Sequence, residues 1–228
     1  MTVLVGSKLV ERLNESDPRR RLVVGPLLEP TEQITMSQAS IDVRLGCDFR
    51  LATAANTGVL DEFAEENSNP FIDLPRLYTK VYVPLGGGVT IHPHQLMLGV
   101  TLEYLRLPND LMAYVVGRSS FGRLGLIIAT AVGIHPSFSG PLTLELRNLG
   151  EAPLKLYPGQ TIAQLFFHQL DPSDPKPVWP GDENRFGQYT ASFEPVTKRI
   201  SSEVTAAKLG SLRRKYESGA KLLRGSDR

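Results

Sequence analysis

The sequence predicts a mainly β fold, a barrel or sandwich built from many short strands. Three observations lead there. Segments alternate apolar and polar residues with period two, as in Ser40-Ile41-Asp42-Val43-Arg44-Leu45 and Leu142-Thr143-Leu144-Glu145-Leu146, the pattern of a strand with one buried face. Glycine and proline, 20 and 17 of them, punctuate these runs with turns. No long helical pattern separates the strands, so the chain offers neither a βαβ nucleotide-binding unit nor a phosphate-loop motif.

In chain order, Leu9, Val10 and Leu13 at helical spacing predict a short helix over residues 6 to 15, with Ser7 as a cap and Asp17-Pro18 as its end. Arg19 to Arg21 form a basic cluster, read as a solvated loop or a phosphate contact. Short β-type runs from Leu22 to Gly46 lead into the strand at Ser40 to Leu45. Residues 52 to 75, with Asn56-Thr57-Gly58 and acids at Asp61, Glu62, Glu65 and Glu66, read as an insertion or cover loop.

Leu77 to Val83, Val89 to Ile91 and Leu96 to Leu105 are further strands, with a flexible turn at Gly86-Gly87-Gly88 and a break at His92-Pro93-His94-Gln95. Two histidines two apart can suggest a metal, but no third or fourth ligand stands near them in sequence. After Pro158-Gly159, Thr161 to Gln169 is the last clear strand. Asp171 to Gly187, carrying Trp179, reads as an arm, and Ser201 to Arg228 as an amphipathic helical tail whose seven Lys and Arg against three acids give a local charge of +4. The expected organisation is one domain over residues 1 to 200 and a basic helical tail over 201 to 228.

The chain has 228 residues, 41% of them hydrophobic, enough to bury one full core. A net charge of +1 shows no global basic excess, so no nucleic-acid partner is expected and any phosphate recognition must be local. The single cysteine, Cys47, excludes an internal disulfide framework and a multi-cysteine metal site and fits a reducing compartment. No secretory pattern opens the chain, and the longest largely apolar run, Leu124 to Ile134, is far short of the about 20 residues of a membrane helix. The expectation is a cytoplasmic protein without a membrane partner.

Polar groups of catalytic type concentrate between Gly117 and Gly150. Arg118, Ser119, Ser120 and Arg123 offer two cations and two hydroxyls over six positions, which suits an anionic ligand such as a phosphorylated nucleotide, and equally suits a solvated turn. Glu145 shares a strand face with Thr143, opposite the leucines, and that face meets either water or a cleft.

These residues carry a resemblance. GRSSFGRLGL, Ile134-His135-Pro136, Phe138-Ser139-Gly140 and LTLELRNLG, together with Gln38 to Gly46 upstream and Leu156 to Leu165 downstream, resemble the deoxycytidine triphosphate deaminase branch of the dUTPase-like superfamily over most of residues 1 to 200. The resemblance implies a distorted jelly-roll-like β-barrel, a deoxycytidine nucleotide as substrate, and a homotrimer with shared active sites. It implies Glu145 as general base and acid, Ser119 positioning the water or the exocyclic amine, and Arg123 orienting Glu145. A backbone carbonyl near Ala131 or Val132 would complete the water site.

By the same resemblance Arg118, Ser120 and Gln164 hold the phosphates, Thr143 joins the nucleotide-binding set, and Gly187-Gln188-Tyr189 closes on the triphosphate with Arg185 as a substitute cation. Asp42 and Arg44 are structural, and so is the His92-Pro93 turn. Departures are Gln188 in place of a usual Lys, Ser192 in place of a usual Gln, and His135 in place of an Asp that in phosphate-cleaving relatives activates water. The chemistry implied needs no cofactor; zinc deaminases use a Cys pair that this chain lacks, and magnesium enters only as the triphosphate's counterion. Three readings result: a deaminase, favoured by Ser119, Arg123 and Glu145; a dUTPase-like pyrophosphohydrolase, or a bifunctional enzyme that also releases pyrophosphate; and a non-catalytic nucleotide-binding protein.

Overall fold

The computed structural model describes residues 2–34, 39–52, 77–129 and 133–171. In chain order these form β1 (Thr2–Val3), α1 (Gly6–Leu13), β2 (Val23–Gly25), α2 (Pro30–Gln33), β3 (Ser40–Ala52), β4 (Tyr78–Tyr82), β5 (Val89–Ile91), β6 (Leu96–Arg106) and β7 (Leu111–Gly117). There follow α3 (Ser119–Gly122), β8 (Leu126–Ile128), β9 (Gly133–Ile134), β10 (Ser139–Asn148), β11 (Leu154–Leu156) and β12 (Thr161–Gln169). The mainly β expectation holds.

Among the described residues ten strands join one sheet in the order β8-β10-β6-β3-β12-β7-β9, with β1, β2 and β4 branching from β12, β6 and β3, while β5 and β11 pair separately. Every pairing is antiparallel. The sheet curls. β8 opens the order and β7 stands near its other end, yet a Cβ placed on Gly117 of β7 would lie 3.4 Å from the Ile128 side chain of β8. Right-handed strand twist drives such closure into a jelly-roll-like barrel.

The inward positions of the alternating strands make the core: Ile41 and Val43 on β3, Leu144 and Leu146 on β10, Leu165 and Phe167 on β12 are all fully buried. Each contributes about 1.5–3 kcal/mol by leaving water. The polar alternates, Asp42, Glu145 and Gln164 among them, therefore stand on the other side of the sheet.

One charge pair lies inside the packing. Glu103 on β6 is wholly buried, and its carboxylate accepts from the Arg44 guanidinium at 2.7 Å, from the Arg44 backbone N–H at 2.7 Å and from Gln33 at 3.0 Å. Arg44 also donates to the Pro26 carbonyl at 2.9 Å, and Gln33 to the Asp42 carbonyl at 3.1 Å. α2, β3 and β6 are thus joined through one carboxylate, all of whose donors are within 3.0 Å, and Arg44 extends the link to the residue after β2. The structural role expected of Arg44 is what the packing displays.

Several sequence expectations change. The helix after β1 ends at Leu13 rather than residue 15, and it begins after Val5 with no side-chain cap, so Ser7 does not cap it. Burial of Leu9 and an ion pair from buried Arg12 to Asp110 at 2.7 Å hold it instead. α2 was not expected; Pro30 stands at its first turn, where a missing N–H costs nothing. In the basic cluster Arg19 pairs with Asp17 and Arg21 donates to the Glu15 carbonyl at 2.6 Å, so two of its three cations are held within the loop. His94 occupies a positive-φ turn position with its N–H on the Asn148 carbonyl, and among the described residues no cluster of three metal-ligating side chains occurs. The expected cover loop, save its first residue, Ala52, at the end of β3, the arm beyond Asp171 and the tail lie outside the described residues.

Replacing Glu103 by Gln leaves the Arg44 charge buried without its counterion, a loss of about 3–5 kcal/mol. Urea unfolding of Glu103→Gln should show a correspondingly lowered midpoint; a change under about 1 kcal/mol would contradict the role given to this pair.

Candidate functional site

β7 delivers the Arg/Ser cluster to the surface. Its inward residues Ala113 and Val115 are buried, and at its exit the Arg118 N–H bonds the Ile162 carbonyl of β12 at 3.1 Å. α3 then turns once: the Gly122 N–H bonds the Arg118 carbonyl at 3.1 Å and the Arg123 N–H the Ser119 carbonyl at 3.0 Å. Four-residue spacing in helical geometry puts Ser119 and Arg123 on one face. Ser119, Ser120 and Arg123 are all exposed.

Arg118 turns the other way. Its Nη1 donates to Asp42 Oδ2 at 2.8 Å, and Gln164 Nε2 donates to Asp42 Oδ1 at 3.0 Å. The ladder explains the meeting: Asp42 on β3 is opposite Gln164 on β12, which is opposite Val116 on β7. The structure therefore brings together two of the three residues expected to hold phosphate, through an aspartate that sequence reasoning treated as purely structural.

Glu145 sits on β10 between β6 and β8, opposite Leu98, and its carbonyl accepts from the Ala129 N–H at 2.7 Å. That bond ties Glu145 to the start of the segment, residues 130–132, in which the resemblance puts the water-binding carbonyl. β8 lies between Glu145 and the Arg/Ser turn, since Ile128 faces Leu146 on one side and touches Gly117 on the other. The turn into β8 is close-fitting: Gly125 has φ +92, and a Cβ there would lie 2.5 Å from the Gly150 nitrogen. Only glycine fits such a backbone without strain.

The residue surface of Glu145 is exposed, yet partial burial of its carboxyl raises the pKa above the ordinary 4.5. Tyr78 on β4 is raised too, first by burial and then by the negative charge of Glu145. The cross-strand row Glu145, Leu98, Arg50, Lys80 adds two cations to the same face. Sequence reasoning missed Tyr78 because its approach to Glu145 depends on the order of four strands.

Thr143 lies two residues from Glu145, half-buried and opposite Val100. His135 lies elsewhere. It follows β9, in which Ile134 is opposite Ala113, so His135 stands level with Met112 at the start of β7. Arg118 is six residues farther along, about 20 Å at ~3.3 Å per residue. One chain therefore does not gather His135 with the Arg/Ser turn. Val132, Arg185, Gln188, Tyr189 and Ser192 lie outside the described residues.

The curled sheet carries Asp42, Glu145 and Gln164 on one face, and the Ser119–Arg123 turn leaves the end of β7. Residues 8–170 match the dCTP deaminase-like family, and the chain belongs to that family. It is 36% identical over 195 residues to a Natronomonas pharaonis protein named dCTP deaminase, covering 84% of this chain and 95% of the relative. A Methanobrevibacter smithii protein named dCTP deaminase, dUMP-forming, is 32% identical over 201 residues, covering 88% and 96%. The crystal structure of 2′-deoxycytidine 5′-triphosphate deaminase from Agrobacterium tumefaciens shares the fold with a TM-score of 0.53 at 22% identity, over 73% of this chain and 47% of that one.

The raised carboxyl sets a pH dependence. Burial opposes ionisation of Glu145, so its pKa in the folded chain exceeds the unfolded 4.5; the cost of the buried charge is absent below 4.5, grows as pH rises from there, and is complete above the folded pKa. If Glu145 serves as the base, it must be ionised to act. The acid limb of kcat/KM, which reports the free enzyme, should therefore inflect above 4.5, and an inflection at or below 4.5 would contradict this environment.

Proposed function

We propose that the chain catalyses hydrolytic deamination of dCTP to dUTP and ammonia, in pyrimidine deoxynucleotide metabolism, with Glu145 moving the protons. The observation that carries this reading is the partly buried carboxyl of Glu145, with a raised pKa, on the β10 face it shares with Thr143, while the backbone carbonyl of Glu145 is bonded to the Ala129 N–H. A carboxyl group poised nearer neutrality serves as both base and acid.

The reaction balances with one water. Glu145 takes a proton from the water as its oxygen bonds C4, and delivers that proton to N3, giving a tetrahedral carbon. The proton of the new C4 hydroxyl then passes through Glu145 to the amino group. The C4–N bond breaks with its electron pair on nitrogen, ammonia leaves, and C4=O forms. Ser119 orients the water or the amine, Arg123 orients the Glu145 carboxylate, and the carbonyl near Val132 completes the water site. Arg118, Ser120 and Gln164 bind the phosphates, with Arg185, Gln188 and Tyr189 of the arm and magnesium as the triphosphate's counterion. His135 bonds the sugar. No transition metal takes part; one cysteine does not furnish the Cys pair of zinc deaminases.

The active sites are shared within a homotrimer in the cytoplasm. Two features support sharing. β8 separates Glu145 from the Ser119–Arg123 turn by two strand spacings, about 10 Å, beyond the reach of a direct hydrogen bond from Ser119. Large exposed apolar side chains, Val116, Leu124 and Ile127, also flank that turn, and a neighbouring copy would cover them. Among the described residues no helix is long and apolar enough to cross a membrane.

A second reading, release of dUMP with pyrophosphate, has the Methanobrevibacter smithii relative's name in its favour. Against it stands His135, which brings no carboxylate where phosphate-cleaving relatives use one.

One product assay addresses both readings. The enzyme given dCTP should release ammonia and dUTP one to one, without pyrophosphate. Glu145→Gln should lose about 10²–10⁴-fold in kcat while still binding dCTP. Ammonia release undiminished in that variant would remove Glu145 from the mechanism, and pyrophosphate formed in step with ammonia would establish the bifunctional reading.

A further inference from the structure

We infer that Asp42 is a positioning residue for phosphate recognition: its carboxylate, bridging Arg118 and Gln164, holds both in the orientation that engages the 5′-phosphates of the nucleotide. This rests on the dCTP-binding reading above and deepens it.

The geometry leaves little freedom. The Asp42 side chain is 9% exposed, and each of its oxygens takes one donor, Arg118 Nη1 at 2.8 Å and Gln164 Nε2 at 3.0 Å. A carboxylate only accepts, so the amide of Gln164 must turn its nitrogen inward; its second amide hydrogen remains to donate to a phosphate oxygen. Arg118 spends one of its five N–H groups on Asp42, and with 39% of its side chain exposed it keeps others for the outside. Asp42 itself is fixed by the β3–β12 ladder, by Gln33 on its carbonyl at 3.1 Å, and by the Arg44–Glu103 pair two residues away.

Electrostatics argue that orientation is the purpose. An anion beside Arg118 weakens the attraction of that cation for phosphate, so a site relying on charge alone would gain from losing Asp42. A planar guanidinium recognises phosphate through directed pairs of hydrogen bonds, and a carboxylate gripping one edge leaves the opposite edge aimed outward and pre-organised. Asp42 trades raw attraction for direction. It touches no reacting atom and acts through Arg118 and Gln164.

The test is the KM-against-kcat split of Asp42→Asn, alone and combined with Arg118→Ala. Asp42→Asn should raise KM for dCTP about tenfold, the scale of one charged hydrogen bond, with kcat within about twofold. In the Arg118→Ala background it should add less than about twofold, because the two residues act as a unit. Should Asp42→Asn not fold, Arg118→Lys probes the same contact from the exposed side. It keeps the charge and loses the planar fork, and an unchanged KM overturns the inference. So does Asp42→Asn with unchanged KM while Arg118→Ala raises it, or a full tenfold effect that persists without Arg118, or a fall in kcat of the same size. If Arg118→Ala and Gln164→Ala both leave KM unaltered, the phosphate role of the pair fails and this inference fails with it.

Discussion

The buried carboxylate of Glu103 is the constraint on which the site depends. It binds the side chain and backbone of Arg44 and the amide of Gln33, and so clamps β3 to β6. β3 is the middle of the sheet. On one side of it run β6, β10 and β8, with Glu145 on β10; on the other run β12, which carries Gln164, and β7, which leads into Arg118. A buried ion pair is a poor source of net stability but is intolerant of losing one partner. What Glu103 secures is register, and a slip of one residue would turn Asp42, Glu145 and Gln164 into the core.

That placement has a chemical consequence. Glu145 and the Ser119–Arg123 turn lie at the surface, so they meet a ligand on the outer face. Ser119, Ser120, Arg123 and His135 are exposed in one chain, whereas catalysis of proton transfer to a nucleobase requires water to be limited and held. A second copy of the chain closing over Val116, Leu124 and Ile127 would supply that enclosure. Burial already raises the Glu145 carboxyl within one chain.

Local patterns made much of the fold legible. β5 and β12 run over the residues at which alternation and turn chemistry put them, and β10 includes the predicted Leu142 to Leu146. Burial decided where the sequence misled: α1 is held by Leu9 and Arg12, not by the Ser7 hydroxyl that capping chemistry favours. Glu145, Ser119 and Arg123 stood out as polar residues within apolar runs. Asp42 did not, since a period-two strand accommodates any polar residue on its outer face, and only the pairing of β3 with β12 reveals its two donors. Tyr78 was hidden for the same reason, a strand order that no local window contains.

The shared site is the claim on which the chemical account turns, and subunit complementation tests it directly. Two chains, Arg123→Ala and Glu145→Gln, are each expected to be inactive alone. Co-refolded one to one, chains assembling as the proposed trimer would have about a quarter of their sites draw intact Arg123 from one copy and intact Glu145 from another. The account predicts recovery of roughly that fraction of the parent dCTP-deaminating activity. Mixed trimers verified by mass that show no activity above the separate variants would contradict it.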